Sequence, residues 1–122
     1  MEIAASKGES FYRGDLAARI ARAAAAEGGA LGLADLAAHR ADWVTPIAQP
    51  YRDVVLHEIP PNGQGLAAQI ALGILARRAP PPRDSVDAMH LQIEAMKLAL
   101  GAAWEHFADP AAMRLSPEDL LE

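Results

Sequence analysis

The sequence predicts an α+β chain, mostly helical, with four helices packed on a short antiparallel strand pair. Three observations carry that expectation. Apolar residues recur at threes and fours in several stretches, the spacing of helices that bury one face. Two short runs, Trp43–Ala48 and Val54–Ile59, carry the β-branched residues that favour strands and flank a turn-like stretch. Between the second run and the next apolar helix lies Pro60-Pro61-Asn62-Gly63-Gln64-Gly65. Pro61 has no N–H to give a ladder, and Gly63 and Gly65 permit backbone angles closed to other residues. Residues 51–75 therefore read as a strand, a sharp loop and a helix returning across the strand, and the other elements are placed around them.

Taken in order, residues 8–27 read as a helix: Phe11, Tyr12, Leu16, Ile20, Ala23 and Ala24 fall at threes and fours, with Arg13, Arg19 and Arg22 mostly on the other side. Asp15 offers a later capped start, with Phe11 and Tyr12 then in an irregular entry. Gly28-Gly29 stops the helix, because glycine accepts the left-handed closing residue. A short helix over Leu33–His39 follows, poorly capped because Gly32 stands where Ser or Thr would serve better. Trp43–Ala48 is interrupted by Pro46 and so reads as an edge strand. Gln49–Asp53 makes the turn, and Val54–Ile59 returns. The third helix, Leu66–Arg78, carries Leu66, Ile70 and Ile74 on one stripe with Leu72 and Leu75 beside it. Gly73 either weakens it by roughly 1 kcal/mol relative to alanine or allows close packing against another backbone. Pro80-Pro81-Pro82 ends it. The last helix runs from Ser85 to Ala108, capped by Asp84 or Ser85 and stopped by Asp109-Pro110. Met89, Ile93, Met96, Leu100, Ala103 and Phe107 form its stripe, widened by Leu91, Ala95, Leu98 and Ala102.

A chain of 122 residues is at most one domain, and although 52% of it is apolar, much of that is alanine. Alanine favours helix and buries little area, so the core is expected to be thin, leaving marginal stability alone or a partner that completes it. A net charge of −5, with acids scattered among the arginines, argues against nucleic acid. The chain has no cysteine, which excludes disulfides and thiolate chemistry. No leader and no bilayer-length apolar run are visible, so an exported parent would carry its leader elsewhere. The ends read as cut boundaries, and Leu121-Glu122 is the kind of pair a cloning site leaves.

No reacting constellation emerges from the residues. His90 and Glu94 lie four apart on one helix face, yet no third ligand stands at a zinc-site spacing, so a solvated stripe with Glu94 near Lys97 is the simpler reading. Ser6, Ser10, Ser85 and Ser116 lack a base and an elbow-like context; the last two read as a cap and a turn residue. Thr45 is internal and cannot use its own free amine as a base. The Asn62–Gly65 loop at a helix start would present N–H groups to an anion, but without a following Lys it is no phosphate loop, and a plain turn needs no ligand. No cofactor or metal is expected.

Four segments nevertheless resemble the γ-glutamyltranspeptidases, in order and over residues 8–110. They are Phe11-Tyr12-Arg13-Gly14-Asp15-Leu16-Ala17; Gly28-Gly29 with Asp35-Leu36-Ala37; Tyr51-Arg52 leading to Pro60-Pro61-Asn62-Gly63-Gln64-Gly65; and His90 with Glu94-Ala95-Met96-Lys97 and Ala99, closing at Asp109-Pro110. Asp53 departs from the family's glycine after Tyr-Arg, and Gly101-Ala102 from its Asp-Arg. The Pro-Pro-Asn-Gly-Gln-Gly form looks more like bacterial γ-glutamyltransferase-like members.

The resemblance implies a piece of an N-terminal-nucleophile hydrolase, an αββα sandwich whose precursor cleaves itself. The new N-terminal threonine of the small subunit then attacks a γ-glutamyl amide, as in glutathione, and the acyl group passes to water or to an amine. Residues 8–110 correspond to a later part of the large subunit, with 111–122 as a loosely held tail. The family's threonine and oxyanion glycines lie downstream and its carboxylate-gripping arginine upstream, so no catalytic or substrate-binding residue is placed here. The implied partners are the rest of the large subunit and the small subunit; a homodimer through uncovered apolar faces is a further expectation. Neither nucleic acid nor a membrane is an expected partner. A periplasmic or secreted parent is implied, with the cytoplasm left open. The alternatives are a cephalosporin-acylase-like amidase and a non-enzymatic helical interaction module.

Overall fold

The computed structural model describes residues 2–122. They divide into two compact units, one ending at Asp42 and one spanning Trp43–Glu122. The first unit is helical: α1 (Glu2–Ala5), α2 (Glu9–Arg13), α3 (Asp15–Ala26) and α4 (Leu33–Ala38). The second contains β1 (Ile47–Tyr51), β2 (Val54–Glu58), α5 (Gly65–Ala76) and α6 (Val86–His106). The mixed, mostly helical class is the one expected, with helical segments beyond the four read from the sequence.

The helix read over residues 8–27 is broken at Gly14, whose extended backbone separates α2 from α3. A Cβ at Gly14 would lie 3.0 Å from the Cα of Ser10, so the chain folds back there against its own preceding turn. Asp15 begins α3 but does not cap it. Gly28 closes that end in the left-handed region, at φ 74°. The entry to α4 is better capped than Gly32 suggested, because the Asp35 carboxylate reaches back to accept the Gly32 N–H at 2.8 Å. Arg13 ties α2 to the end of α4. Its guanidinium pairs with Glu9 at 2.8 Å and donates to the carbonyls of Ala37 and His39 at 3.2 and 3.4 Å. A cation at the unsatisfied carbonyls of a helix end is well placed. Beside it, the His39 ring stacks on Tyr12 with centroids 5.0 Å apart.

In the second unit the return strand lies where the sequence placed it, and the first strand of the hairpin sits later. That strand begins after Pro46 rather than at Trp43, and Ile47 pairs with Glu58 through to Tyr51 with Val54. Pro46 lacks the N–H to extend a ladder. Pro50 is accommodated opposite Val55 in a strand bonded on one side only. The connection shrinks to Arg52-Asp53. Arg52, rather than Asp53, takes the left-handed angle, at φ 56°, with its guanidinium 5.1 Å from the Tyr51 ring centre.

Helix α5 lies on the hairpin, and α6 lies on α5. The core joins Ile47, Leu66, Ala67, Ile70 and Ala71 to Ala95 and Ala99 of α6. Gly73 is buried in α5, and a Cβ there would come 3.3 Å from the Gln49 amide; its neighbour is a side chain, not a backbone. Ser85 caps α6, its hydroxyl accepting the Ala88 N–H at 3.1 Å. The stripe expected to bury α6 does so only at its end, where Ala103 and Phe107 pack against the core. Met89, Ile93, Met96 and Leu100 are exposed, and the face against α5 is built from Ala88, Ala95 and Ala99. Small side chains let two helices approach closely, so the alanine face seats on α5 and the large residues are left outside.

The tail is also held more firmly than expected. Leu120 and Leu121 pack against the core, and Arg77 donates to the Glu122 carbonyl at 2.6 Å. Before them, Asp119 accepts from the Ser116 hydroxyl and N–H at 2.7 and 2.8 Å, making a closed turn.

Candidate functional site

The loop at the head of α5 is the one motif with a chance of chemistry. Pro61 is buried, Asn62 and Gln64 are exposed, and α5 starts at Gly65 without a side-chain cap. The space over Gly65 is filled by Glu58 from β2: a Cβ at 65 would meet its carboxylate oxygen at 2.5 Å and its Cβ at 2.9 Å. A side chain at 65 would push β2 away, which accounts for the glycine. The chain's own carboxylate thus stands at the helix start, where the backbone dipole favours negative charge.

Behind the loop, Gln69 is fully buried and joins α5 to both strands. Its amide nitrogen donates to the carbonyls of Ile47 at 3.0 Å and Leu56 at 3.1 Å, and its Oε1 has no partner. The sequence reading passed over this residue. The available signal was a single polar side chain within the apolar run Leu66–Leu75.

The other candidates are not brought together. His90 is exposed on α6, and Glu94 is engaged by Lys97 at 2.8 and 3.0 Å. That hydrogen bond holds the Glu94 carboxyl below its ordinary value, with smaller help from the charges of Lys97 and His90. His106 lies 3.9 Å from Glu105, too far for a hydrogen bond. Among the described residues no three His, Cys, Asp or Glu side chains converge to hold a metal. Ser6 and Ser10 bond each other at 3.0 Å, with no histidine or carboxylate recorded on either hydroxyl. Thr45 is exposed beside a shallow cleft formed with Pro46, Pro60, Pro110, Pro117 and Leu121. Glu118 also lines that cleft, and no hydrogen bond joins it to the Thr45 hydroxyl. A wider one, between the Tyr51-Arg52 turn and Arg83-Asp84, is lined by two guanidinium groups and the Asp84 carboxylate, with no serine or threonine.

Comparison with known proteins supplies the larger context. The family model described as γ-glutamyltranspeptidase matches residues 1–122. The chain belongs to the γ-glutamyltranspeptidase family. It is 35% identical over 113 residues to the oxamate amidohydrolase proenzyme of Klebsiella pneumoniae, covering 93% of this chain and 21% of that protein. It is 32% identical over 125 residues to the glutathione hydrolase-like YwrD proenzyme of Bacillus subtilis, covering 100% and 24%. The crystal structure of cephalosporin acylase from Bacillus halodurans superposes with a TM-score of 0.84 at 47% identity, over 99% of this chain and 23% of that one. This γ-glutamyltranspeptidase-family chain thus spans about a quarter or less of each of these three proteins. Its elements form a segment of the N-terminal-nucleophile hydrolase fold of that family and its acylases. No described helix is long and apolar enough to cross a membrane.

Proposed function

We propose that the chain is a scaffold segment of the large subunit of a γ-glutamyltranspeptidase-like enzyme. In this reading residues 8–110 are part of the large-subunit domain, and 111–122 are the tail that follows. The observation that carries it is the family match along the whole chain, joined to coverage of about a quarter or less of each relative. The parent would transfer or hydrolyse γ-glutamyl groups of glutathione-like amides through an N-terminal threonine outside this chain. Its partners would be the remaining large subunit and the small subunit, and the family points to an exported enzyme.

A second reading has a specific observation behind it. The 47% identity to a cephalosporin acylase favours a parent that cleaves another amide. The carboxylate-binding arginine upstream of this segment separates the two, since a γ-glutamyl donor needs its α-carboxylate gripped.

Intact-mass analysis of the full-length gene product tests the proposal. Two chains, the smaller beginning with threonine, are expected, along with turnover of a γ-glutamyl anilide by the processed pair. The 122-residue chain alone is expected to show none. A single uncleaved chain, or turnover by the segment itself after contaminants are removed, would overturn the scaffold reading. Processing with activity only on a cephalosporin-type amide would select the acylase.

A further inference from the structure

The outer face of α6 has no partner in the second unit. Val86, Met89, Ile93, Met96 and Leu100 recur at alternating threes and fours, and they are 85, 65, 53, 40 and 47% exposed. At helical spacing they form one stripe, well round the helix from the buried Ala88, Ala95 and Ala99. The charged residues Asp87, Glu94, Lys97 and Glu105 occupy the remaining side. An ordinary surface helix has one apolar face turned inward. This one has two, and the face with the larger side chains is the one left open. A contiguous apolar patch on a helix marks a contact surface.

We propose that this stripe is the seat of the rest of the parent polypeptide, the part of the enzyme outside residues 1–122, which lays its own apolar side chains across α6. The proposal rests on the chain being one segment of a longer enzyme, and not on which amide that enzyme cleaves. Two facts favour this occupant over a second copy of the chain. More than three-quarters of each matched relative lies outside the matched segment, which leaves ample polypeptide to cover the face. A stripe of five side chains also falls well short of the about 20–30 residues a side that stable protein–protein interfaces use. Closure within one molecule avoids the translational and rotational cost of joining two copies, so a small face suffices.

Met89 and Met96 lie in the stripe and report directly on its cover, because peroxide oxidises an accessible thioether to the sulfoxide and is itself reduced to water. The experiment is a short peroxide pulse on three samples: the native full-length product, the same product unfolded in guanidinium, and the 122-residue chain over a range of concentrations. Peptide mass spectrometry reads each methionine. The expected result is that both methionines oxidise at least about tenfold more slowly in the native full-length product than in the unfolded one. In the 122-residue chain both stay reactive at every concentration. Reaction at the unfolded rate in the native full-length product would overturn the proposal, because the face would then be free. Protection that grows with concentration in the 122-residue chain, together with a doubled mass, would overturn it in favour of a second copy. The variant Ile93→Glu gives an independent reading: it should lower the melting temperature of the full-length product and leave that of the 122-residue chain unchanged. Turnover of a γ-glutamyl anilide in the same samples reads the function separately. Protected methionines without turnover would keep this face and sink the γ-glutamyl assignment.

Discussion

Gln69 shows how much one side chain can decide in a small core. It is the buried polar residue among the described positions, and its amide satisfies a carbonyl from each strand. Gln69→Leu keeps the volume and removes the donor, leaving two carbonyls short of a partner. We expect a loss of about 1–3 kcal/mol, seen as a lower urea midpoint with an unchanged slope. A midpoint equal to the parent's would mean that water or backbone movement replaces the amide. Asp119 offers a test by pH. Its carboxyl is held below the usual value, first by the Ser116 hydroxyl and then by the Ser116 N–H. A folded pKa below the unfolded one means that the stabilisation is present above the unfolded value and lost as pH falls through the folded value. The tail turn should therefore persist through the ordinary aspartate range and loosen only in stronger acid. Carbon-13 titration of Asp119 checks this, and Ser116→Ala should raise its midpoint toward that of an ordinary aspartate.

Elements here are shaped by where glycine is needed and where it is merely present. Gly101 lies within α6, and an added Cβ would meet nothing within 4 Å. Gly101→Ala should stabilise the chain by up to about 1 kcal/mol, because alanine has the higher helix propensity. Gly65→Ala looks equally mild on paper, yet it drives a Cβ into Glu58 and against β2. There we expect a cost of about 1–3 kcal/mol, as for other overpacked sites. Thermal melts followed by circular dichroism should move in opposite directions for the two variants. Shifts of the same sign would show that Glu58 swings clear at no cost.

The whole molecule is limited by its alanines. Of the ten buried hydrophobic residues among the described positions, six are alanine, and only Ala17 and Leu36 belong to the unit that ends at Asp42. Each buried alanine removes little apolar area from water, so the second unit should be the more stable of the two. Amide exchange in the 122-residue chain should be slowest in α5, around Leu66–Ala71, and roughly tenfold or more faster throughout α3 and α4. Equal protection in both units would show that the chain opens as one cooperative body.

The sequence by itself determined the family, through short motifs whose order along the chain needs no coordinates, and most of the element order, through apolar spacing and proline and glycine stops. It also located Ser85 as a cap and Ser116 as a turn residue, because those interactions are local. Tertiary structure alone decided which face of α6 is buried. The periodicity marks two apolar faces, and the choice between them depends on how near the α5 backbone can come, which favours the alanines. Packing also decided that Gly14 breaks the first long helix, that Glu58 fills the space over Gly65, and that Leu120 and Leu121 close onto the core. Each of those contacts joins residues through the geometry of a turn or across sequence distance, and spacing along the chain does not record it.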